Sequence, residues 1–389
     1  MSEQLAYAIV TPYTIRKSRT GAVLSRLLGR VSADLVAAGM FAPTRELAEA
    51  YAASVPPGGS PEQEKYRALI RGYIRQNFTP DSDGRRHRLL MLVFRGPDAV
   101  AELSQVVGQL RISSASGETI RDAYGDLVCN EDGSVRYFEP GVLIGDGPEA
   151  ILKDLRLWLD FARTQSPLLT NTCTYQNPAK VEQTLVIIKP DSWLHQSSRP
   201  GAIIDMLSRT GLRIIACKPC QISVAQAMEF YGPVQDALRR KLAPGIGAKA
   251  REILERELGI KIPADADQAL TEKVGVPYAM DQFERIVEFM SGRRPSQVPH
   301  DEWANPGRAR CMALIYEGED AVQKIRDVLG PTDPSKAPSG TIRREFGSDI
   351  MINTAHASDS PENAKREMGI LRIADSQFVP AVEKALKEI

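Results

Sequence analysis

Neither sign of charge dominates this chain: 49 lysines and arginines stand against 49 aspartates and glutamates. Without an overall basic field there is no general pull toward nucleic acid, and no nucleic-acid partner is expected. No apolar run is long enough to span a bilayer, so no membrane association is expected either. The start, Met1-Ser2-Glu3-Gln4, lacks a basic stretch followed by an apolar one, and no secretory signal is read there. Cysteine is scarce. Five residues, an odd number in no dense framework, suit a reducing cytoplasm. Cys217 and Cys220 form a Cys-x-x-Cys pair, but a metal or redox site needs partners such as a second pair, and none is visible. They read as small residues on or after a strand, and no metal ligand is assigned. The chain also lacks a Gly-x-x-x-x-Gly-Lys-[Ser/Thr] loop, so a P-loop does not hold phosphates here.

What is present is ordinary globular material, 43% hydrophobic and 25% charged, and 389 residues suggest two domains or one with large insertions. The apolar run Leu5–Val10 reads as a strand. Val23, Leu24, Leu27, Leu28 and Val31 recur at helical spacing within 20–36. Helices are expected over 45–53, 64–76, 98–109 and 148–162, a strand over 88–95, a loop and strand over 117–128, and a polar excursion over 130–137. The second half opens with a strand at 184–188 and a helix at 201–210. A strand at 212–222, a helix at 224–231 and a strand at 311–316 follow. The halves repeat weakly. Leu92-Val93-Phe94-Arg95-Gly96 pairs with Leu314-Ile315-Tyr316-Glu317-Gly318, Thr119-Ile120-Arg121 with Thr341-Ile342-Arg343, and Gly145–Glu149 with Ser358–Glu362. A period this long indicates a duplicated domain rather than a solenoid. The expected boundaries are 1–165, a Ser/Thr/Asn/Pro-rich linker at 166–180, and 181–389. The element order suggests a ferredoxin-like α+β sandwich.

The chemistry gathers around His356. An apolar run ends in Asn353, the histidine follows where the chain must turn, and Ser358, Asp359, Pro361 and Glu362 read as the start of a helix. A histidine beside a helix N-terminus neighbours unpaired N–H groups that favour an anionic phosphate. Upstream lie Gln183-Thr184-Leu185-Val186-Ile187-Ile188-Lys189-Pro190-Asp191, Arg326-Asp327-Val328-Leu329-Gly330-Pro331-Thr332-Asp333-Pro334 and Gly340-Thr341-Ile342-Arg343-Arg344-Glu345-Phe346-Gly347. In order, and in spacing from Arg326 onward, these segments resemble nucleoside diphosphate kinase. The match is dense over 181–236 and 283–371.

The resemblance implies two ferredoxin-like (βαββαβ) domains in tandem, the second catalytic, and γ-phosphoryl transfer through a phosphohistidine by a ping-pong route. It implies that His356 is the nucleophile, that Glu367 accepts from its other nitrogen, that Ser358 supports that carboxylate, and that Tyr231 helps position His356 and Lys189. Lys189 would contact the γ-phosphate, Arg326 and Arg343 the terminal phosphates, Thr332 a phosphate oxygen and Asn353 the ribose. Phe283 and Val287, four apart on one helix face, suit either a base sandwich or the core of an amphipathic helix. Mg²⁺ would bridge the phosphates, with ATP and nucleoside diphosphates as substrates, and tandem chains would form a homo-oligomer. Segments 232–281, with a helix at 249–258, and 293–308 are insertions that the family mostly lacks. In the first half Thr11, Ser104, Leu110, Pro140 and Leu143 stand for Lys189, Arg326, Thr332, Asn353 and His356. Arg121 and Tyr51 match Arg343 and Tyr231. That half resembles the fold without the chemistry. Two rivals are a non-catalytic nucleotide sensor or interaction protein and a histidine phosphotransfer component. The second would not need Asn353 or Phe283.

Overall fold

The computed structural model describes residues 3–109 and 117–389. It divides into two compact units, Met1–Cys220 with Met312–Ile389, and Gln221–Cys311.

The first unit holds two four-stranded sheets built from buried apolar runs. One is made of β1 (Gln4–Val10), β2 (Asp34–Phe41), β3 (Leu89–Gly96) and β6 (Val142–Ile144), in the order β2-β3-β1-β6. Its strands are antiparallel, with Val10 opposite Leu90 and Ile9 opposite Leu143. A separate hairpin is formed by β4 (Asp126–Cys129) and β5 (Val135–Glu139). The other large sheet contains β7 (Val181–Ile188), β8 (Arg213–Cys220), β9 (Cys311–Glu319) and β10 (Ala355–Ala357), in the order β10-β7-β9-β8. Taken by order of appearance, both sheets run second, third, first, fourth. The apolar runs that read as strands in sequence, 5–10, 88–95, 184–188, 212–222 and 311–316, fall on β1, β3, β7, β8 and β9.

Three local expectations are corrected. The helical spacing over 20–36 stops early: the helix is Thr20–Arg30, and β2 begins at Asp34. The alanine-rich stretch Leu35-Val36-Ala37-Ala38 favours helix locally, yet pairing with β3 places it in a sheet. His356 lies on β10 opposite Ile187, and the turn falls just before it. The helix that follows is Pro361–Ile370, and its N-cap is Ser360, whose side chain accepts from Asn363 N–H. The expected helix at 224–231 also runs on, through Pro233, to Lys241.

Helix Thr20–Arg30 packs on helix Arg199–Leu207, and β2 lies beside β8. The two helices meet at glycines. A Cβ on Gly21 would collide with the Asp205 backbone, and one on Gly201 with the Ser25 backbone. The chain's last helix, Phe378–Lys387, seats Phe378, Val382 and Ala385 in a core with Tyr7, Phe41 and Trp158 of the first half. The Phe41 and Phe378 rings meet edge to face at 4.9 Å. Lys218 Nζ donates to the carbonyls of Leu371, Arg372 and Asp375 in the turn leading into that helix.

The second unit is mainly helical: Val224–Lys241, Ala243–Leu258, Ala266–Leu270, a π-helical Thr271–Gly275 and Val276–Ser291. Its first helix opens with a capping box between Ser223 and Gln226 and packs on Val276–Ser291.

Candidate active site

β7 carries its apolar residues into the core and ends at Ile188, and Lys189 follows directly, 8% exposed. Lys189 Nζ donates to Asn353 Oδ1 at 2.6 Å. Asn353 is buried, and its amide donates to the carbonyls of Ile350 (2.6 Å) and Thr332 (3.3 Å). Three segments distant in sequence therefore meet at one ammonium–amide pair. Lys189 N–H also donates to the Thr354 carbonyl at 3.0 Å. That bond joins the end of β7 to the turn before β10.

His356 Nε2 lies 2.9 Å from Glu367 Oε2, and the same oxygen accepts from Ser358 Oγ at 2.6 Å. Glu367 is buried because Pro361–Ile370 turns that face inward. A carboxylate partner keeps the proton on Nε2 and leaves the lone pair on Nδ1. The imidazole ring remains one-fifth exposed. With Nε2 held by a buried carboxylate, the lone-pair nitrogen Nδ1 can attack an electrophilic phosphorus.

Arg343 occupies the short helix Ile342–Phe346 and braces the site from beneath. Nη1 donates to the Gly330 carbonyl (2.9 Å) and Nη2 to the Ala355 carbonyl beside His356 (3.0 Å). Arg121 makes the same two bonds in the first half, to Gly108 (2.9 Å) and Val142 (3.2 Å). This brace persists in a half without the histidine, so it does a structural job. Arg326 lies exposed in the last turn of helix Ala321–Leu329, and Thr332 is exposed just beyond it. Tyr231, Phe283 and Val287 belong to the second unit. Phe283 and Val287 are buried on helix Val276–Ser291, at 2% and 0% exposure, and so present no open face to a base as they stand. Tyr231 is 9% exposed on helix Val224–Lys241, its ring 4.9 Å from that of Phe230.

Sequence reasoning passed over Asp191, Arg199 and Thr354. Arg199 pairs with Asp191 at 2.7 Å. Burial raises the Asp191 carboxyl above its ordinary range, opposed by the Arg199 and Lys189 charges. Thr354 has φ 77°, a region that costs a β-branched residue about 1–3 kcal/mol. Asp191 was legible as the end of Lys-Pro-Asp, whereas no local pattern marks the other two. Cys217 and Cys220 sit on β8, and burial pushes their thiols up to about 12 and about 11, which suppresses the reactive thiolate.

The corresponding place in the first half is filled differently. Thr11 Oγ1 and Tyr73 OH donate to the buried Glu139 at 2.9 and 2.7 Å, and Leu143 is 2% exposed. Asp154 is six residues after Pro148, as Glu367 is after Pro361. With no histidine to hold, it accepts instead from Tyr7 OH (2.7 Å) and from Ser54. Leu110 lies outside the described residues.

The class this defines is an α+β protein with a carboxylate-held histidine at a sheet edge, flanked by a lysine and an amide. The family model described as nucleoside diphosphate kinase matches residues 182–238 and 303–374, leaving 239–302 unmatched. A nucleoside diphosphate kinase of Wolinella succinogenes is 31% identical over 188 residues, 48% of this chain and 93% of that protein. One of Beijerinckia indica is 32% identical over 188 residues, 48% and 91% respectively. A crystal structure of the Aquifex aeolicus nucleoside diphosphate kinase aligns at 28% identity over 51% of this chain and 97% of that one, with a TM-score of 0.31. The chain belongs to the nucleoside diphosphate kinase family, and about half of its length carries the likeness.

Proposed function

We propose that this chain is a nucleoside diphosphate kinase acting through His356. The observation that carries the reading is the His356–Glu367–Ser358 arrangement, set beside Lys189 and Asn353 within the segments the family model matches. The Nδ1 lone pair attacks the γ-phosphorus of a nucleoside triphosphate, and the bond to the β-bridging oxygen breaks, releasing the diphosphate. A terminal oxygen of an incoming diphosphate then attacks the same phosphorus. The P–N bond breaks, and its electrons return to Nδ1. Glu367 stabilises the charge that develops on the ring.

Lys189 and the exposed Arg326 supply positive charge to the phosphates, with Thr332 as a further contact and Asn353 toward the ribose. Arg343 contributes from its braced position. Tyr231 as a positioning group, and Phe283 with Val287 as a base sandwich, are further parts of this reading. Among the described residues no three His, Cys, Asp or Glu side chains converge as a metal cage. Mg²⁺ would enter with the nucleotide substrate and neutralise phosphate charge.

The equal strand order of the two sheets supports a tandem reading: a kinase-like first half, 1–165, without the reactive residues, and a catalytic second half, 181–389. Residues 166–180 connect them. Assembly of tandem chains into a homo-oligomer and a cytoplasmic location complete the proposal. No helix among the described residues is long and apolar enough to cross a membrane. Initial rates over a grid of ATP and GDP concentrations test the mechanism. Parallel double-reciprocal lines are expected, and intersecting lines, or no transfer, would refute it.

A further inference from the structure

The turn that delivers His356 is strained in one half of the chain and relaxed in the other. Ala355 N–H closes a three-residue turn onto the Asn353 carbonyl at 2.8 Å, with Thr354 at φ 77° in the centre. Val142 N–H closes the same turn onto the Pro140 carbonyl at 2.7 Å, and there the centre is Gly141 at φ 68°. Each central carbonyl accepts from the end of the sheet's first strand: Lys189 N–H at 3.0 Å, Thr11 N–H at 3.2 Å. Glycine adopts this backbone readily and a β-branched residue does not. The half bearing the histidine therefore places the less suited residue at the turn. What threonine adds over glycine is a side chain with a hydroxyl.

That hydroxyl accepts from Arg199 Nη2 at 2.9 Å. The same nitrogen donates to Asp191 Oδ2 and to the Phe346 carbonyl, both at 2.7 Å, and the guanidinium lies 5.8 Å from the Phe346 ring. Arg199 opens helix Arg199–Leu207, where the dipole disfavours a cation and no acidic residue occupies the first turn. Its position makes sense through what it grips: the segment after Lys189, the end of the Arg343 helix and the turn before His356.

We propose that Arg199, through the Thr354 hydroxyl and Asp191, is a positioning residue that holds His356 in register with Lys189 and Asn353. The inference rests on His356 being the phosphoryl acceptor. Thr354→Val keeps the branching and removes the hydroxyl, and Arg199→Gln removes the charge. Thr354→Gly removes both hydroxyl and strain. Steady-state kinetics, thermal unfolding and the imidazole NMR signals of the intact chain are measured for each, with His356 assigned by loss of its signal in His356→Ala.

Thr354→Val is expected to lower kcat about tenfold with KM nearly unchanged, and to move the His356 signal, because small misplacements are costly in catalysis. Arg199→Gln should lose at least as much, and the double variant no more than Arg199→Gln alone, since both act along one path. Thr354→Gly should unfold no lower than wild type yet lose kcat similarly, which a merely structural role would not produce. An unmoved imidazole signal with kcat within about twofold of wild type in both Thr354→Val and Arg199→Gln overturns the proposal. So does a kcat loss that simply follows thermal stability across the set. If wild type transfers no phosphate but the signal still moves, positioning of the ring stands and the kinase reading falls.

Discussion

Replacing Glu367 with glutamine changes one charge at the centre of the site and almost no volume. The side chain is 6% exposed and accepts from His356 Nε2 at 2.9 Å and from Ser358 Oγ at 2.6 Å. Hydrogen bonds to a charged group contribute about 1.5–3 kcal/mol and neutral ones about 0.5–1.5, so neutralisation removes about 1–1.5 kcal/mol as the ring becomes cationic. At about 1.4 kcal/mol per decade, that is roughly tenfold in the first phosphoryl transfer. Glutamine can also turn its NH₂ toward Nε2, shifting the ring proton to Nδ1 and removing the attacking lone pair. The expected loss for Glu367→Gln is therefore about 10- to 100-fold. Single-turnover quench with γ-labelled ATP reads this step directly, and thermal unfolding checks the fold. A rate within about twofold of wild type in a well-folded variant would refute the reasoning.

Three further outcomes follow from the fold. Phe378→Ala opens the core shared with Phe41 and Trp158 and should cost about 3–5 kcal/mol in denaturant unfolding, whereas a loss below about 1 kcal/mol would mean the last helix is not seated there. Burial raises the Asp154 carboxyl above its ordinary range. The folded chain thus holds that proton more tightly than the unfolded chain, so the stabilisation is complete below about pH 4 and is lost as pH rises through the folded value. The melting temperature of Asp154→Asn relative to wild type should therefore climb as pH rises from 4 to 8, and a flat difference would contradict this sign. Calorimetric titration with a non-hydrolysable ATP analogue should find one site per chain, because the first half lacks counterparts of Lys189, Arg326 and His356; two sites of similar affinity would make that half a nucleotide-binding domain.

Features carried by local pattern were legible in sequence. The run Leu185–Ile188 ending at Lys189 needed only apolar content and length to read as a strand. Ser358, Pro361 and Glu362 announced a helix start within two residues of its place. β2 was hidden because Leu35–Ala38 has helical propensity, and only pairing with β3 makes it a strand. β10 has three residues, too few for any period to show. The structural role of Arg343 lies in the two backbone bonds it shares with Arg121, which sequence spacing does not encode. Arg199 and Thr354 were invisible because their roles depend on contacts across 147 and 155 residues of separation, which spacing does not encode. The seating of Phe378 against Phe41 is likewise a long-range fact.

The central claim is that His356 itself carries the transferred phosphoryl group. Wild-type chain incubated with γ-labelled ATP and separated from nucleotide should hold an acid-labile, base-stable phosphate at about one per chain, the stability pattern of a phosphohistidine. Adding GDP should discharge it as labelled GTP, and His356→Ala should take up none. Label that survives in His356→Ala, or that GDP fails to discharge from the wild type, would contradict the account.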